Sequence, residues 1–178
     1  MPTIKTIIEL IETFENVEPS EQVGVLKSID IPRKEFEAFA TWKEGGYTRN
    51  CIVRHEKFEL ILLCWDTGVK TPIHGHDGQN CWVYLISGTI SEKRFKQKHH
   101  GFELTNNATL EAGSISYMHD RMGFHTLENV SSGLSMTLHV YAHPIDICEV
   151  YNEKIGSFET VKMVYDSTAE IKDVTQIS

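Results

Sequence analysis

The chain has 178 residues, 40% hydrophobic and 24% charged, an ordinary globular composition with length enough for a sizeable core. Its net charge of −8 argues against a basic surface for nucleic acid or anionic lipid, and no apolar run reaches the roughly 18 residues of a membrane-spanning helix. No secretory leader is read at the N-terminus, and four scattered cysteines, none in a CxxC pair, read as reduced thiols in a cytoplasmic protein.

The spacing of Ile4, Ile7, Ile8, Ile11 and Phe14 predicts a first helix. Pro19-Ser20 breaks it, and a second short helix is expected through Val23 and Leu26. Pro32 suits the start of a third, carrying Phe36 and Phe39. After Gly45-Gly46 the texture turns to β. Short apolar or alternating runs predict strands at 47–53, 58–65, 81–90, 109–117, 123–128, 135–141, 147–151 and 158–165. Many short strands at this spacing argue for a sandwich or barrel. The expected organisation is one domain over 1–178: helices in 1–44, a β-barrel over 45–166 and a loosely held tail at 167–178.

The chemistry-bearing signal is Gly68-x5-His74-x-His76-x4-Cys81-x6-Gly88. Histidines two apart on a strand point the same way, so both imidazoles can reach one ion. His125-x3-Asn129, on a strand after a Gly113-led turn, is the best source of a third ligand. Neutral imidazoles suit zinc, iron, copper or nickel. His55, His99, His100 and His119 have no such frame and read as solvated residues. Tyr47 and Arg49 alternate and so face one way, and an arginine facing a barrel interior requires an anion. Thr137, His139 and Tyr141 also alternate. A hydroxyl–imidazole–phenol relay would satisfy all three and orient the phenol.

The two histidine patterns resemble the cupin motifs of double-stranded β-helix (jelly-roll) barrels, with Cys81 where the metal-binding Glu of the first motif usually stands. The second motif is one residue longer than usual and lacks its Pro. More specifically, the chain resembles the type I cysteine dioxygenases. The matching stretches are YTRN at 47–50, LCW at 63–65, IHGHDGQNC at 73–81, GFHTLEN at 123–129, TLHVY at 137–141 and ID-x-C at 145–148.

The resemblance implies one ferrous iron per chain on His74, His76 and His125, with L-cysteine and O2 as partners and cysteine sulfinic acid as product. It implies that Arg49, helped by Tyr47, binds the substrate carboxylate, and that Tyr141, held by His139 and Thr137, stands near the iron. It allows a Cys81–Tyr141 thioether, places Cys148 at the entrance and Met163 and Leu63 in the pocket, and is read with a monomeric protein. The alternatives are a dioxygenase of 3-mercaptopropionate or another small thiol, a non-catalytic metal-binding cupin, and a zinc hydrolase or isomerase. The family's Tyr-Ser-Pro-Pro is Tyr141-Ala142-His143-Pro144 here, and a trans peptide is expected at Ala142-His143 because a cis bond before a non-proline costs about 2.5–4 kcal/mol.

Overall fold

The structure, a computed structural model, describes residues 2–169. Three short helices lead: α1 (Ile7–Asn16), α2 (Gln22–Lys27) and α3 (Arg33–Glu37). Helix α1 starts later than its apolar spacing suggests because Thr6 caps it. The Thr6 hydroxyl accepts from Glu9 N (3.1 Å) and the Glu9 carboxylate accepts from Thr6 N, a reciprocal box that stops the helix there. Ile4 instead forms a parallel bridge with Ile29. In α2 the buried face is Gln22, Val25 and Leu26, while Val23 is exposed.

Eleven strands follow among the described residues: β1 (Tyr47–His55), β2 (Phe58–Trp65), β3 (Cys81–Ser87), β4 (Thr89–Lys98), β5 (Gly101–Glu111), β6 (Ile115–Met118), β7 (Phe124–Asn129), β8 (Ser135–Tyr141), β9 (Ile147–Asn152), β10 (Ser157–Lys162) and β11 (Ser167–Thr168). One wall is a six-stranded sheet in the order β11-β1-β2-β8-β3-β6. The other joins the β5-β4-β7 and β10-β9 sheets through the extended segment 68–75. That segment pairs with β7 on one side (Thr71 N to Leu127 O, 2.9 Å) and β9 on the other (Gly75 N to Glu149 O, 2.9 Å).

Strand β2 is buried along its whole length, and its two faces serve different cores. Leu60, Leu62 and Cys64 pack with Ile7, Leu10 and Phe14 of the helical layer. Ile61, Leu63 and Trp65 face the barrel interior with Cys81, Val83, Leu85, Leu127 and Tyr141. The helices thus close the outside of the sheet whose inside holds the candidate site.

Three expectations need correction. The single strand read at 81–90 is two, broken at Gly88, and the one at 109–117 is the end of β5 plus β6. The β4–β5 hairpin went largely unread because its outer half, from Lys96 to Asn106, is mostly solvated polar residues with no apolar period. Two residues assigned to the tail, Ser167 and Thr168, pair in parallel with Asn50 and Cys51 of β1, while 170–178 lie outside the described residues. No peptide among the described residues is cis, so Ala142-His143 is trans as expected. Among the described residues no helix is long and apolar enough to cross a membrane.

Gly88 explains why the histidine motif ends on glycine. Its φ is +89°, and a Cβ there would lie 1.9 Å from Ser135 Oγ and 3.0 Å from Ser135 Cα. Ser135 cannot turn away freely, since its hydroxyl donates to Asn129 Oδ1 at 2.7 Å. Gly88→Ala is therefore expected to cost about 2–5 kcal/mol, a left-handed-backbone penalty plus overpacking. Gly113→Ala (φ +85°, open space) incurs only the first of these, about 1–2 kcal/mol. Urea unfolding midpoints of the two variants check the difference.

Candidate metal centre

His74 and His76 do not sit on a regular strand as expected. His74 is an isolated bridge residue held between His125 of β7 and Val150 of β9, and His76 follows in the turn that leads to β3. His125 comes from β7, entered not from the Gly113 turn but through the 3-10 turn Asp120–Met122 and Gly123. The three imidazoles still converge: their candidate ligand atoms all lie within 4.8 Å of one another.

The hydrogen bonds define which nitrogens face inward. His74 Nδ1–H donates to Pro72 O at 3.0 Å, and His125 Nδ1–H donates to Glu92 Oε1 at 2.9 Å. A neutral imidazole with a protonated Nδ1 presents a lone pair at Nε2. The Nε2 atoms of His74 and His125 are 3.1 Å apart. Two lone pairs at that distance repel, and a cation bound by both removes the conflict. Burial first, and the neighbouring imidazoles next, hold His76 and His125 well below the ordinary histidine range, and burial lowers His74 too. The donor set is thus three neutral nitrogens, and it fits a metal ion of the kind that imidazole binds.

Two carboxylates brace this cluster. Glu92 on β4, 1% exposed, accepts from His125 through Oε1, while its Oε2 accepts from Arg94 Nε (3.1 Å), Arg94 Nη2 (2.9 Å) and Ser116 Oγ (2.7 Å). Asp120 accepts from the backbone N–H groups of His76 (2.7 Å) and Gly78, fixing the turn that carries His76.

Beside the histidines lies a cavity of ≈ 200 Å³, lined by Tyr47, Arg49, Leu63, His74, His139, Tyr141, Ile145, Cys148 and Met163 among others. It is smaller than the roughly 300–1,000 Å³ typical of ligand pockets and suits a molecule of few heavy atoms. Arg49 is 8% exposed. Its Nε–H donates to Val164 O at 3.3 Å, but Nη2 is buried without a hydrogen-bond partner among the described residues. A buried, half-satisfied guanidinium on a cavity wall has the charge and free donors to receive an anion.

The Thr137-His139-Tyr141 row faces inward, but the relay differs from expectation. Trp65 Nε1–H donates to Thr137 Oγ1 (2.8 Å), which lies 3.0 Å from His139 Nε2. No bond joins His139 to Tyr141, whose ring centroids are 6.4 Å apart in near-parallel planes. The reason is the strand repeat, which sets i and i+2 side chains parallel, so rings of this size stand side by side. The Tyr141 phenol instead neighbours Arg49 and Cys81, and its ring is 6.4 Å from that of His76. Burial pushes His139 down to about 3, so it is neutral, and pushes the Cys81 thiol up to about 12. Cys81 and Tyr141 are direct cross-strand partners on β3 and β8. Cys148 Sγ lies 3.1 Å from Met163 Sδ on the cavity wall.

A family model described as cysteine dioxygenase type I matches residues 1–154. The chain belongs to that family. Cysteine dioxygenase type 1 of Danio rerio is 28% identical over 173 residues, covering 90% of this chain and 86% of that protein. The Rattus norvegicus protein of the same name is 27% identical over 179 residues, covering 94% and 90%. Among solved structures, a conserved Klebsiella pneumoniae protein with a double-stranded β-helix domain aligns at a TM-score of 0.51 and 15% identity, covering 71% of this chain and 94% of that one. A Thermus thermophilus protein aligns at 0.51 and 19%, covering 61% and 95%. These structures speak to the fold, which is the cupin double-stranded β-helix.

Within this cysteine dioxygenase family member, sequence reasoning missed Glu92, Arg94 and Asp120, which brace the histidines. It also missed Glu59, fully buried on β2 opposite Tyr141. Glu59 accepts from the Tyr165 hydroxyl, from Arg54 Nη1 (3.2 Å) and from Ile145 N (3.1 Å), clasping the cavity wall to the barrel. The one available signal was parity: Glu59 lies two residues before Ile61, on the inward face of its strand.

Proposed function

We propose that this protein oxidises L-cysteine with dioxygen to cysteine sulfinic acid, using one ferrous iron per chain held by His74, His76 and His125. The observation that carries the reading is the unpaired Nη2 of buried Arg49, on the wall of the same small cavity that His74 lines. A ligand filling that cavity needs a metal-binding end and an anionic end a few bonds apart. Cysteine has both, and family membership supports the chemistry. Ferrous iron, when bound, supplies the centre at which a thiol sulfur and dioxygen combine.

The chain's own residues then divide the work. Arg49, beside Tyr47, takes the carboxylate and turns its binding into orientation. Three imidazoles bring no negative charge, so a substrate thiolate is favoured as the charge-compensating ligand. Tyr141, neighbouring Arg49 and near His76, presents a neutral phenol to the cavity, since burial raises it well above its ordinary range. His139, with Thr137 and Trp65 behind it, is a neutral wall of the pocket. Leu63, Met163 and Cys148 close the pocket on its apolar side.

The test is product analysis after anaerobic iron loading, with cysteine, 3-mercaptopropionate and cysteamine compared. The expected result is one O2 consumed per cysteine sulfinate formed, with cysteine preferred. A preference for 3-mercaptopropionate would reassign the substrate, and no oxygen uptake with any thiol would leave a non-catalytic metal-binding cupin.

The cross-strand pairing of Cys81 with Tyr141 supports a thioether between Cys81 Sγ and the Tyr141 ring. Forming it removes the thiol and ring hydrogens, and dioxygen takes the two electrons. Intact mass after iron loading and turnover is expected to fall by two hydrogens, a loss absent in Cys81→Ala. An unchanged mass after exhaustive turnover contradicts the crosslink alone.

A further inference from the structure

We propose that Glu92 is the positioning residue of the metal centre, supplying through His125 the negative charge that the ligand set itself lacks. The inference rests on the metal-site reading above and deepens it. Position 81, where the resembling cupin motif carries an acid, holds a neutral, buried thiol. The acid reappears one hydrogen bond away. Glu92 Oε1 takes the Nδ1 proton of His125 at 2.9 Å, and no solvent reaches either group: Glu92 is 1% and His125 0% exposed.

The bond does two things. It fixes the His125 tautomer, so that Nε2 faces His74 Nε2 as a lone pair. It also makes His125 a stronger donor, because a carboxylate on Nδ1–H pushes electron density toward Nε2. Strand geometry makes the arrangement specific. Glu92 and Arg94 are i and i+2 on β4, and Arg94 is the cross-strand partner of His125. Arg94 Nε and Nη2 and Ser116 Oγ all donate to Oε2, which leaves Oε1 for the imidazole. The carboxylate is therefore held on three sides and cannot swing to the metal as a fourth ligand. The coordination position that a ligating acid would occupy stays open for substrate, while its charge is kept within reach.

Metal-free protein decides this without any assay of oxidation. Cobalt(II) is titrated by absorption, and zinc(II) in competition with a chelator, into wild type, Glu92→Gln, the double variant Glu92→Gln/Arg94→Met, and Glu103→Gln, which removes an exposed carboxylate paired with Lys98 outside the site. Gln at 92 keeps an acceptor for His125 without the charge. Affinity is expected to fall about 10–100-fold in both Glu92 variants, with shifted cobalt bands, and to stay within a few-fold of wild type in Glu103→Gln. The double variant removes the charge pair as a unit, so it remains folded if an unpaired Arg94 unfolds the single one. A folded Glu92 variant that binds cobalt like wild type overturns the proposal, and so does a nitrogen-15 spectrum placing the His125 proton of the wild-type protein on Nε2. Wild type failing to bind any metal sinks the underlying metal-site reading as well, and is told apart by the first titration.

Discussion

His74→Ala is expected to leave the protein folded, metal-free and inactive. His74 is partly exposed, and among the described residues its ring donates one hydrogen bond, from Nδ1 to the Pro72 carbonyl. Deleting it removes one of three nitrogen donors without orphaning any other side chain. Loss of a group that merely orients a ligand costs about 10–100-fold in affinity, so loss of the ligand itself should exceed this and leave background metal after dialysis. His125→Ala should be metal-free too, but for a second reason it should also be less stable. Its imidazole is the only partner of Glu92 Oε1 among the described residues, and stranding a buried acceptor costs about 1–3 kcal/mol. Metal content per chain, oxygen uptake with cysteine and the unfolding midpoint of the metal-free proteins separate these effects. One metal per chain in His74→Ala would remove His74 from the ligand set.

What the sequence made legible follows from where its periodicities are strong. Strands β2 and β8, buried at every position and largely apolar, were read to their exact bounds. The two-residue repeat sufficed to put Tyr47 with Arg49, and Thr137 with His139 and Tyr141, on inward faces. What it hid were charges doing the work of core residues. Glu92 and Glu59 occupy inward positions where an apolar residue is the usual occupant; Glu92 also weakened the pattern of β4, while β2 stayed legible around Glu59 although the role of that acid did not. The same limit applies to the proposed phenol relay. Parity places side chains on one face, but it does not say which neighbours they reach, and Tyr141 turned out to lie by Arg49 and Cys81 instead of bonding His139.

Arg49→Met is expected to lower kcat/KM for cysteine by about 30-fold to 4,000-fold, the kinetic equivalent of the 2–5 kcal/mol that truncating one partner of a buried charge pair costs. Most of the loss should appear in KM, since the guanidinium meets the carboxylate end of the substrate and not the sulfur. Arg49→Lys should fall between, keeping the charge but losing the planar fork. The metal-free protein should respond in the opposite direction. With Nη2 buried and unpaired among the described residues, the wild-type arginine carries a desolvation cost that an anion offsets, so Arg49→Met should unfold at a temperature no lower than wild type. Cysteamine supplies the control, because it has the thiol and amine but no carboxylate. Wild type should use it poorly, and Arg49→Met should use it no worse, so the ratio of cysteine to cysteamine turnover collapses in the variant. If Arg49→Met lost cysteine and cysteamine activity equally, the arginine would be acting on the metal centre or the fold and not on the carboxylate. The pairing of lost selectivity with retained stability is what distinguishes a binding residue from a structural one, and the buried Nη2 of Arg49 on the cavity wall, without a partner among the described residues, has the hydrogen-bonding capacity to show it.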